Sequence, residues 1–261
     1  MTNSLKNLWT AKPSRAAQWL LFVLCISTLI AFTGKRQSDG FIPNIVVEIE
    51  ERAGLHFVNS EQVHALVQAA LVADIEKVGD RKKLHLGHME RSLERNGFIE
   101  RAAISQDLTG RLLVEIDQTL PIARVLATRG QDFYISDAGK VVPVSPLYTA
   151  RVVTLEGPGA RRLAQLLPAS DSASMAIVAM LNYIAKDEFW SKQVAGLDID
   201  DRGEIKILPQ LGSQTIQFGS SQNFKTKFGY LLAFYHRILP AKGWGRYRTV
   251  SVKYENQIIC E

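Results

Sequence analysis

An uncharged, mostly apolar run near the N-terminus constrains this chain more than any other feature. No charged residue lies between Arg15 and Lys35, and a helix over that gap would be roughly 28 Å long at ~1.5 Å per residue, about the thickness of a bilayer's hydrocarbon core. Trp19 lies near one end of the run, where an indole ring favours the lipid–water interface. The sequence therefore predicts a single transmembrane helix over residues 16–33.

A cleaved signal peptide is the alternative for this run. The only small-residue site near its end is Ala31-Phe32-Thr33, a poor match to the A-x-A cleavage pattern. Three basic residues and no acidic residue precede the run, although Lys35 and Arg36 follow it. The positive-inside rule therefore favours a cytoplasmic tail of residues 1–15, with the linker of residues 34–42 and the rest of the chain on the other side of the membrane.

The remainder has the composition of a globular protein. About 220 of the 261 residues follow the run, enough for one large or two small domains. The net charge is +5, and residues 220–261 carry seven Lys or Arg against two acidic residues, an excess equal to that of the whole chain. A basic region of this kind can meet an acidic protein, an anionic lipid surface or nucleic acid. The two cysteines, Cys25 and Cys260, predict no disulfide framework.

Residues 43–120 carry the pattern of a small domain. Apolar residues alternate from Ile45 to Ile49, which is typical of a half-buried strand. Two helical patterns follow, and then two strands, Ile99–Gln106 and Arg111–Thr119, joined by a turn. The order strand, helix, helix, strand, strand predicts two helices packed on one face of a small sheet.

Residues 121–261 predict a larger, mostly antiparallel β domain with two or more helices, so the fold class as a whole is α+β. The predicted strands are Ile122–Ala127, Phe133–Ser136, Val141–Val144, Val152–Glu156, a strand–turn–strand through Asp201-Arg202-Gly203, and Gln214–Phe218. The predicted helices are Met175–Ala185 and an apolar stripe from Phe224 to Ile238 that ends at Pro240 and Gly243. A last hairpin turns at Glu255-Asn256 and ends in the strand Gln257–Cys260.

No pattern in the chain predicts catalysis, a metal or a cofactor. Asp198–Gly203 begins like a calcium loop, but Arg202 and Pro209 occupy ligand positions, so a hairpin turn is predicted. His85 and His88 lack a third ligand for zinc. A carboxylate pair acting on a glycan leaves no sequence signature, so a membrane-tethered cell-wall hydrolase stays open beside the favoured non-enzymatic interaction module.

Several stretches, each weak alone, are specific in their order and spacing: Asn96–Ala102, Gln118–Val125, Phe133–Lys140, Glu188–Trp190, Phe218-Gly219, Leu239-Pro240, Gly243-Trp244 and Lys253–Cys260. Together they resemble FtsQ, a family of bitopic bacterial division proteins, in its Bacteroidetes-like form. Ser136 departs from the resemblance, because an acidic residue is expected at that position.

The resemblance implies a POTRA domain over residues 43–120 and a β domain over residues 121–261. It implies a place in the bacterial divisome, at the inner membrane, with the N-terminus cytoplasmic and both domains periplasmic. The implied partners are membrane proteins of division similar to FtsB and FtsL, with no small-molecule substrate or nucleic acid. A POTRA module for outer-membrane protein assembly or secretion is a further alternative.

In the family, the partner pairs with an edge strand near the C-terminus, and an unpaired strand edge is a template for strand addition. The final strand therefore either binds a partner or merely finishes the sheet. Tyr254 and Trp244 are the predicted aromatic anchors, and Lys253 and Arg248 are predicted to attract acidic partner residues. The predicted partner-binding residues are Trp244, Arg248, Lys253, Tyr254, Gln257, Ile258, Ile259 and Cys260.

Overall fold

The computed structural model describes residues 44–50, 54–78, 84–127, 130–168 and 171–261, and residues 45–261 form one compact unit of mixed α+β structure. The predicted transmembrane helix over residues 16–33, the tail before it and the linker after it lie outside the described residues. Among the described residues, no helix has both the length and the apolar composition that crossing a membrane requires.

A three-stranded sheet with two helices forms the first part of this unit. Its elements are β1 (Ile45–Ile49), α1 (Ser60–Val78), α2 (Leu86–Leu93), β2 (Ile99–Gln106) and β3 (Leu112–Gln118). The strand order is β1-β3-β2, with β1 parallel and β2 antiparallel to β3. The predicted order of elements is confirmed.

Apolar periodicity explains why these segments pack together. Val63 and Val67 of α1 and Met89 and Leu93 of α2 are buried in the same cluster as alternate residues of β3 such as Val114. Four-residue spacing places each helical pair on one helix face, and two-residue spacing does the same in the strand. The first core therefore lies between the helices and one face of this sheet.

A nine-stranded sheet forms the second part, in the order β12-β11-β10-β9-β8-β7-β4-β5-β6. Its strands are β4 (Pro121–Val125), β5 (Phe133–Ser136), β6 (Val141–Pro143), β7 (Val153–Glu156), β8 (Val194–Ile199), β9 (Ile205–Pro209), β10 (Thr215–Gly219), β11 (Thr249–Ser251) and β12 (Ile259–Cys260). Within the described residues, five neighbouring pairs are antiparallel and three are parallel.

The helices packed on this sheet are α3 (Gly157–Leu166), α4 (Ser172–Lys186), α5 (Trp190–Gln193), α6 (Phe224–Ala233) and α7 (Leu239–Lys242). A π-helical turn, Phe234–Ile238, joins α6 to α7, so the predicted stripe is interrupted rather than one regular helix. Trp190, Phe228 and Phe234 are buried in the core beneath. Gly243, with φ of +97°, ends the helical segment as predicted. The prediction that Pro240 also ends it is wrong, because Pro240 lies in the first turn of α7, where its missing N–H is tolerated.

Helix α3 was absent from the sequence prediction. Gly157-Pro158-Gly159 opens it, with proline in the first helical turn, where a missing N–H costs nothing. Gly157 has φ of +90°, and a Cβ there would lie 2.3 Å from the carbonyl oxygen of Ile199. The glycines therefore allow the start of α3 to approach the end of β8.

The two sheets meet at Gln118, a polar residue with only 2% of its surface exposed. Its Oε1 accepts hydrogen bonds from the backbone amides of Phe57 (2.9 Å) and Val58 (3.3 Å), and its Nε2 donates to the carbonyl of Leu55 (3.1 Å). The ring of Phe57 in turn contacts Tyr134 of the second sheet, with ring centroids 5.7 Å apart. One side chain thus fixes the loop that fills the junction.

Candidate partner-binding edge

Strand β12 lies at the edge of the nine-stranded sheet. It pairs antiparallel with β11, placing Cys260 opposite Val250 and Ile259 opposite Ser251. The predicted edge position of the final strand is confirmed. Its predicted length over Gln257–Cys260 is wrong, because only Ile259–Cys260 form a strand.

The backbone of Cys260 faces the open side of the sheet. Glu261 and Thr249 exchange two backbone hydrogen bonds, with N···O distances of 2.9 and 3.0 Å. Successive residues of an antiparallel strand point their N–H and C=O groups in opposite directions, so those of Cys260 point away from β11. By the same alternation, the backbone groups of Ile258, two residues earlier, point the same way as those of Cys260. Within the part of the chain that the structure describes, no other residue is seen to bond these two backbone amides.

The side chains around this edge hold the strand in place. Ile258 and Cys260 are half-buried and pack against the second core, while Ile259 is 38% exposed. Val250 and Val252 on the neighbouring chain segment are fully buried. Burial raises the pKa of the Cys260 thiol, because the thiolate is poorly solvated there. The strand is therefore fixed by packing while one backbone edge stays open.

The predicted aromatic anchors lie before and after β11 in the chain. Trp244 precedes β11 and is 49% exposed, and Tyr254 follows it and is 55% exposed. The Trp244 carbonyl accepts a hydrogen bond from Nε2 of Gln214, which ties it to the β9–β10 loop. The structure thus places both aromatic side chains on the surface, one in the segment before β11 and one in the segment after it.

The two predicted cations differ in their surroundings. Lys253 forms an ion pair with Glu204, and hydrogen bonding to that carboxylate raises the pKa of Lys253. The Arg248 side chain is exposed, and no ion pair is recorded for it among the described residues. Arg248, rather than Lys253, is therefore the cation available to an acidic partner.

The turn predicted at Glu255-Asn256 lies between β11 and β12, but the sequence did not show that residues of α6 pack beside it. Asn256 adopts a left-handed conformation (φ +59°), and its Oδ1 accepts a hydrogen bond from the Tyr230 hydroxyl of α6 at 3.0 Å. Lys227 of α6 donates to the carbonyl of Ser220 at 2.8 Å, and burial lowers the pKa of Lys227. The left-handed preference of asparagine is consistent with the predicted turn, whereas the contacts made by α6 have no local sequence signal.

A cleft of about 450 Å³ lies between α6 and this loop, lined in part by Asn223, Lys227, Tyr230, Lys253, Tyr254 and Asn256. Its lining mixes amide, hydroxyl and ammonium groups, which suit a polar segment. Tyr254 belongs to the cleft as well as to the predicted partner-binding set, so the cleft extends that surface towards α6.

The remaining sequence candidates have structural roles. Asp200 closes the β8–β9 turn by accepting hydrogen bonds from the amides of Arg202 (2.8 Å) and Glu204 (2.9 Å), so the predicted hairpin turn is confirmed. Ser136 accepts from the amide of Lys140 at 3.0 Å, which gives the turn its acceptor without a carboxylate. The described residues contain no group of three His, Cys, Asp or Glu placed to hold a metal ion.

Comparison with known proteins covers this second sheet. Residues 120–261 match the family described as FtsQ/DivIB, C-terminal related, and this range contains β4 to β12 in full. No curated protein matches the chain. Since the match spans more than half of the 261 residues, the chain belongs to the FtsQ/DivIB family of cell division proteins.

Proposed function

We propose that this protein is a non-enzymatic scaffold of the bacterial divisome that captures a partner by strand addition along β12. The observation that carries the proposal is the edge position of β12, with the backbone N–H and C=O of Cys260 directed to the open side. A partner segment in extended conformation would continue the nine-stranded sheet at this edge. Since main-chain groups supply the pairing, neighbouring side chains must supply the specificity.

The proposed partners are FtsB- and FtsL-like membrane proteins of the divisome. Trp244 and Tyr254 are exposed on either side of β11 in the chain, and aromatic side chains often dominate interface energies. Arg248 would attract an acidic segment and mainly raise the association rate. Because β12 has only two residues, the contacts of Trp244, Arg248, Tyr254 and Gln257 would add to a short ladder.

The proposal also includes the setting of this scaffold. Residues 16–33 would anchor it in the inner membrane, with a cytoplasmic N-terminus and periplasmic domains. The three-stranded sheet with α1 and α2 would be the POTRA domain near the membrane, which its element order supports. Turnover of peptidoglycan by the purified full-length chain would instead favour the cell-wall hydrolase.

Photo-crosslinking in cells tests where the partner binds. A photoreactive residue at Ile259 or Cys260 should capture a small membrane protein of division. The control position is Leu108, which is fully exposed in the β2–β3 turn of the other sheet. Adducts that are absent at β12, or that form equally from position 108, would contradict the proposal.

Two substitutions at one position separate backbone pairing from side-chain packing. Ile258→Pro removes an N–H on the open side together with the side chain, whereas Ile258→Ala removes most of the side chain and keeps the N–H. We expect Ile258→Pro to reduce partner capture by about tenfold or more beyond Ile258→Ala. Thermal unfolding must show that both variants are folded, and equal capture by two folded variants would argue against strand addition.

A further inference from the structure

The three-stranded sheet has a strand edge of its own along β2. This strand is eight residues long and lies at the end of the order β1-β3-β2. Long edge strands template pairing with other chains, and proteins usually block them. What occupies the free side of β2 therefore decides whether this sheet can also add a strand.

The outward backbone groups of β2 follow from its pairing with β3. The amide of Asp107 donates to the carbonyl of Arg111 across the hairpin at 3.0 Å. Alternation along an antiparallel strand then directs the amides of Ala102 and Ile104 away from β3, and both lie opposite β3 residues in regular register.

Two carboxylates already occupy these outward amides. Glu90 Oε1 accepts from the amide of Ile104 at 2.8 Å, and Glu94 Oε1 accepts from the amide of Ala102 at 3.3 Å. Hydrogen bonds to a carboxylate are stronger than those between neutral groups. Two of the donors that a further strand would use, in the middle of β2, are thus bonded within the chain.

The spacing of the two partners explains how a helix can replace a strand here. Residues four apart on a helix are separated by about 6 Å along its axis, and residues two apart on a strand by nearly 7 Å. Glu90 and Glu94 are four apart, and Ala102 and Ile104 are two apart. Met89 and Leu93 anchor α2 in the first core, which holds the carboxylates beside β2.

The edge strands β2 and β12 differ in whether side chains bond their outward backbone amides. At β12, no side chain among the described residues is seen to bond the backbone amide of Cys260. At β2, the start of the strand is covered further, because Lys140 of the second sheet's β5–β6 turn pairs with Glu100 at 2.9 Å. Side chains of the chain itself therefore cover the edge of β2, whereas the edge of β12 is left open.

We propose that Glu90 and Glu94 close the β2 edge against strand addition, and that their removal opens it to the β2 strand of a second copy of this chain. A second copy is the occupant because it supplies an identical edge at the same concentration, and two such edges can pair antiparallel. The inference stands apart from the function proposed for β12, since it is tested on the protein alone.

Hydrogen exchange of the full-length chain, purified in a mild detergent at low concentration, tests the closure. Relative to the unsubstituted chain, Glu90→Ala/Glu94→Ala should exchange the amides of Ala102 and Ile104 about tenfold faster or more. Glu90→Gln/Glu94→Gln retains a carbonyl acceptor at each position and should keep most of the protection. Unchanged exchange at both amides in the alanine variant would overturn the proposal.

Sedimentation over a range of concentrations tests the opening. The Glu90→Ala/Glu94→Ala variant should self-associate as its concentration rises, and the Glu90→Gln/Glu94→Gln variant should not. Glu61→Ala/Glu76→Ala makes the same change in net charge at two exposed residues of α1, so it controls for altered repulsion. The proposal would be overturned if the folded double-alanine variant stayed monomeric, or if the Glu61→Ala/Glu76→Ala control associated equally. Any dimers must also crosslink from β2 of one copy to β2 of the other.

Discussion

At the scale of single residues, Gln118 is the side chain on which the junction between the sheets depends. Its amide bonds three backbone groups of the loop at Leu55, Phe57 and Val58. Gln118→Ala would leave those buried groups without partners, and each unpaired group costs about 1–3 kcal/mol. We expect the free energy of unfolding to fall by about 3 kcal/mol or more, measured by urea denaturation.

Gln106→Ala is the matched control, because Gln106 is an exposed glutamine whose only recorded side-chain bond in the described structure is a 3.4 Å contact to the carbonyl of Gly110. It should change the unfolding free energy by less than about 0.5 kcal/mol. Equal effects of the two substitutions would show that the junction does not depend on Gln118.

Individual residues also show where sequence reasoning ended. Lys253 and Arg248 look equivalent in the sequence, yet Glu204 pairs with Lys253 alone. That pairing depends on β9 and the segment after β11 lying close together, which no local pattern encodes. The same holds for Glu90 and Glu94, since their bonds to β2 depend on how α2 packs.

At the scale of elements, prediction succeeded where periodicity was strong. The first sheet follows from its pattern, because helical and strand spacing are both clear from β1 to β3. Helix α3 was missed because Gly157-Pro158-Gly159 resembles a turn, and its role depends on distant Ile199. Strand β12 was predicted in place but too long, since Gln257 and Ile258 satisfy the strand pattern without forming the ladder.

The start of α3 supplies a prediction at this scale. Gly157→Ala forces a left-handed backbone on alanine and brings its Cβ within 2.3 Å of the Ile199 carbonyl oxygen. We expect a loss of about 2–4 kcal/mol in the free energy of unfolding. The comparison is Gly203→Ala, with φ of +79° and no atom within 4 Å of the new Cβ.

Gly203→Ala should cost about 1–2 kcal/mol, because it carries the backbone strain alone. Denaturant unfolding of both variants measures how much more unfolding free energy is lost when the new Cβ also contacts the Ile199 carbonyl oxygen. If the two losses were the same, the contact between α3 and β8 would not explain the glycine.

At the scale of the whole molecule, one compact unit carries two sheets whose edges differ. The family match covers the nine-stranded sheet from β4 to β12, and the three-stranded sheet lies before it. The α+β class was predictable from the order and spacing of the helical and strand patterns, whereas the edge position of the last strand was expected from the family resemblance. The parallel pairing of β10 with β11 was not predictable, because α6, the π-helical turn and α7 lie between these strands in the chain.

The central claim is that β12 adds a partner strand, and hydrogen exchange of the bound full-length chain tests it most directly. Once crosslinking has identified the partner, the amides of Ile258 and Cys260 should exchange about tenfold more slowly in the saturated complex than in the free chain. The amides of β6, at the opposite edge of the same sheet, should be unaffected. Unchanged exchange at Ile258 and Cys260 in a saturated complex would contradict the account.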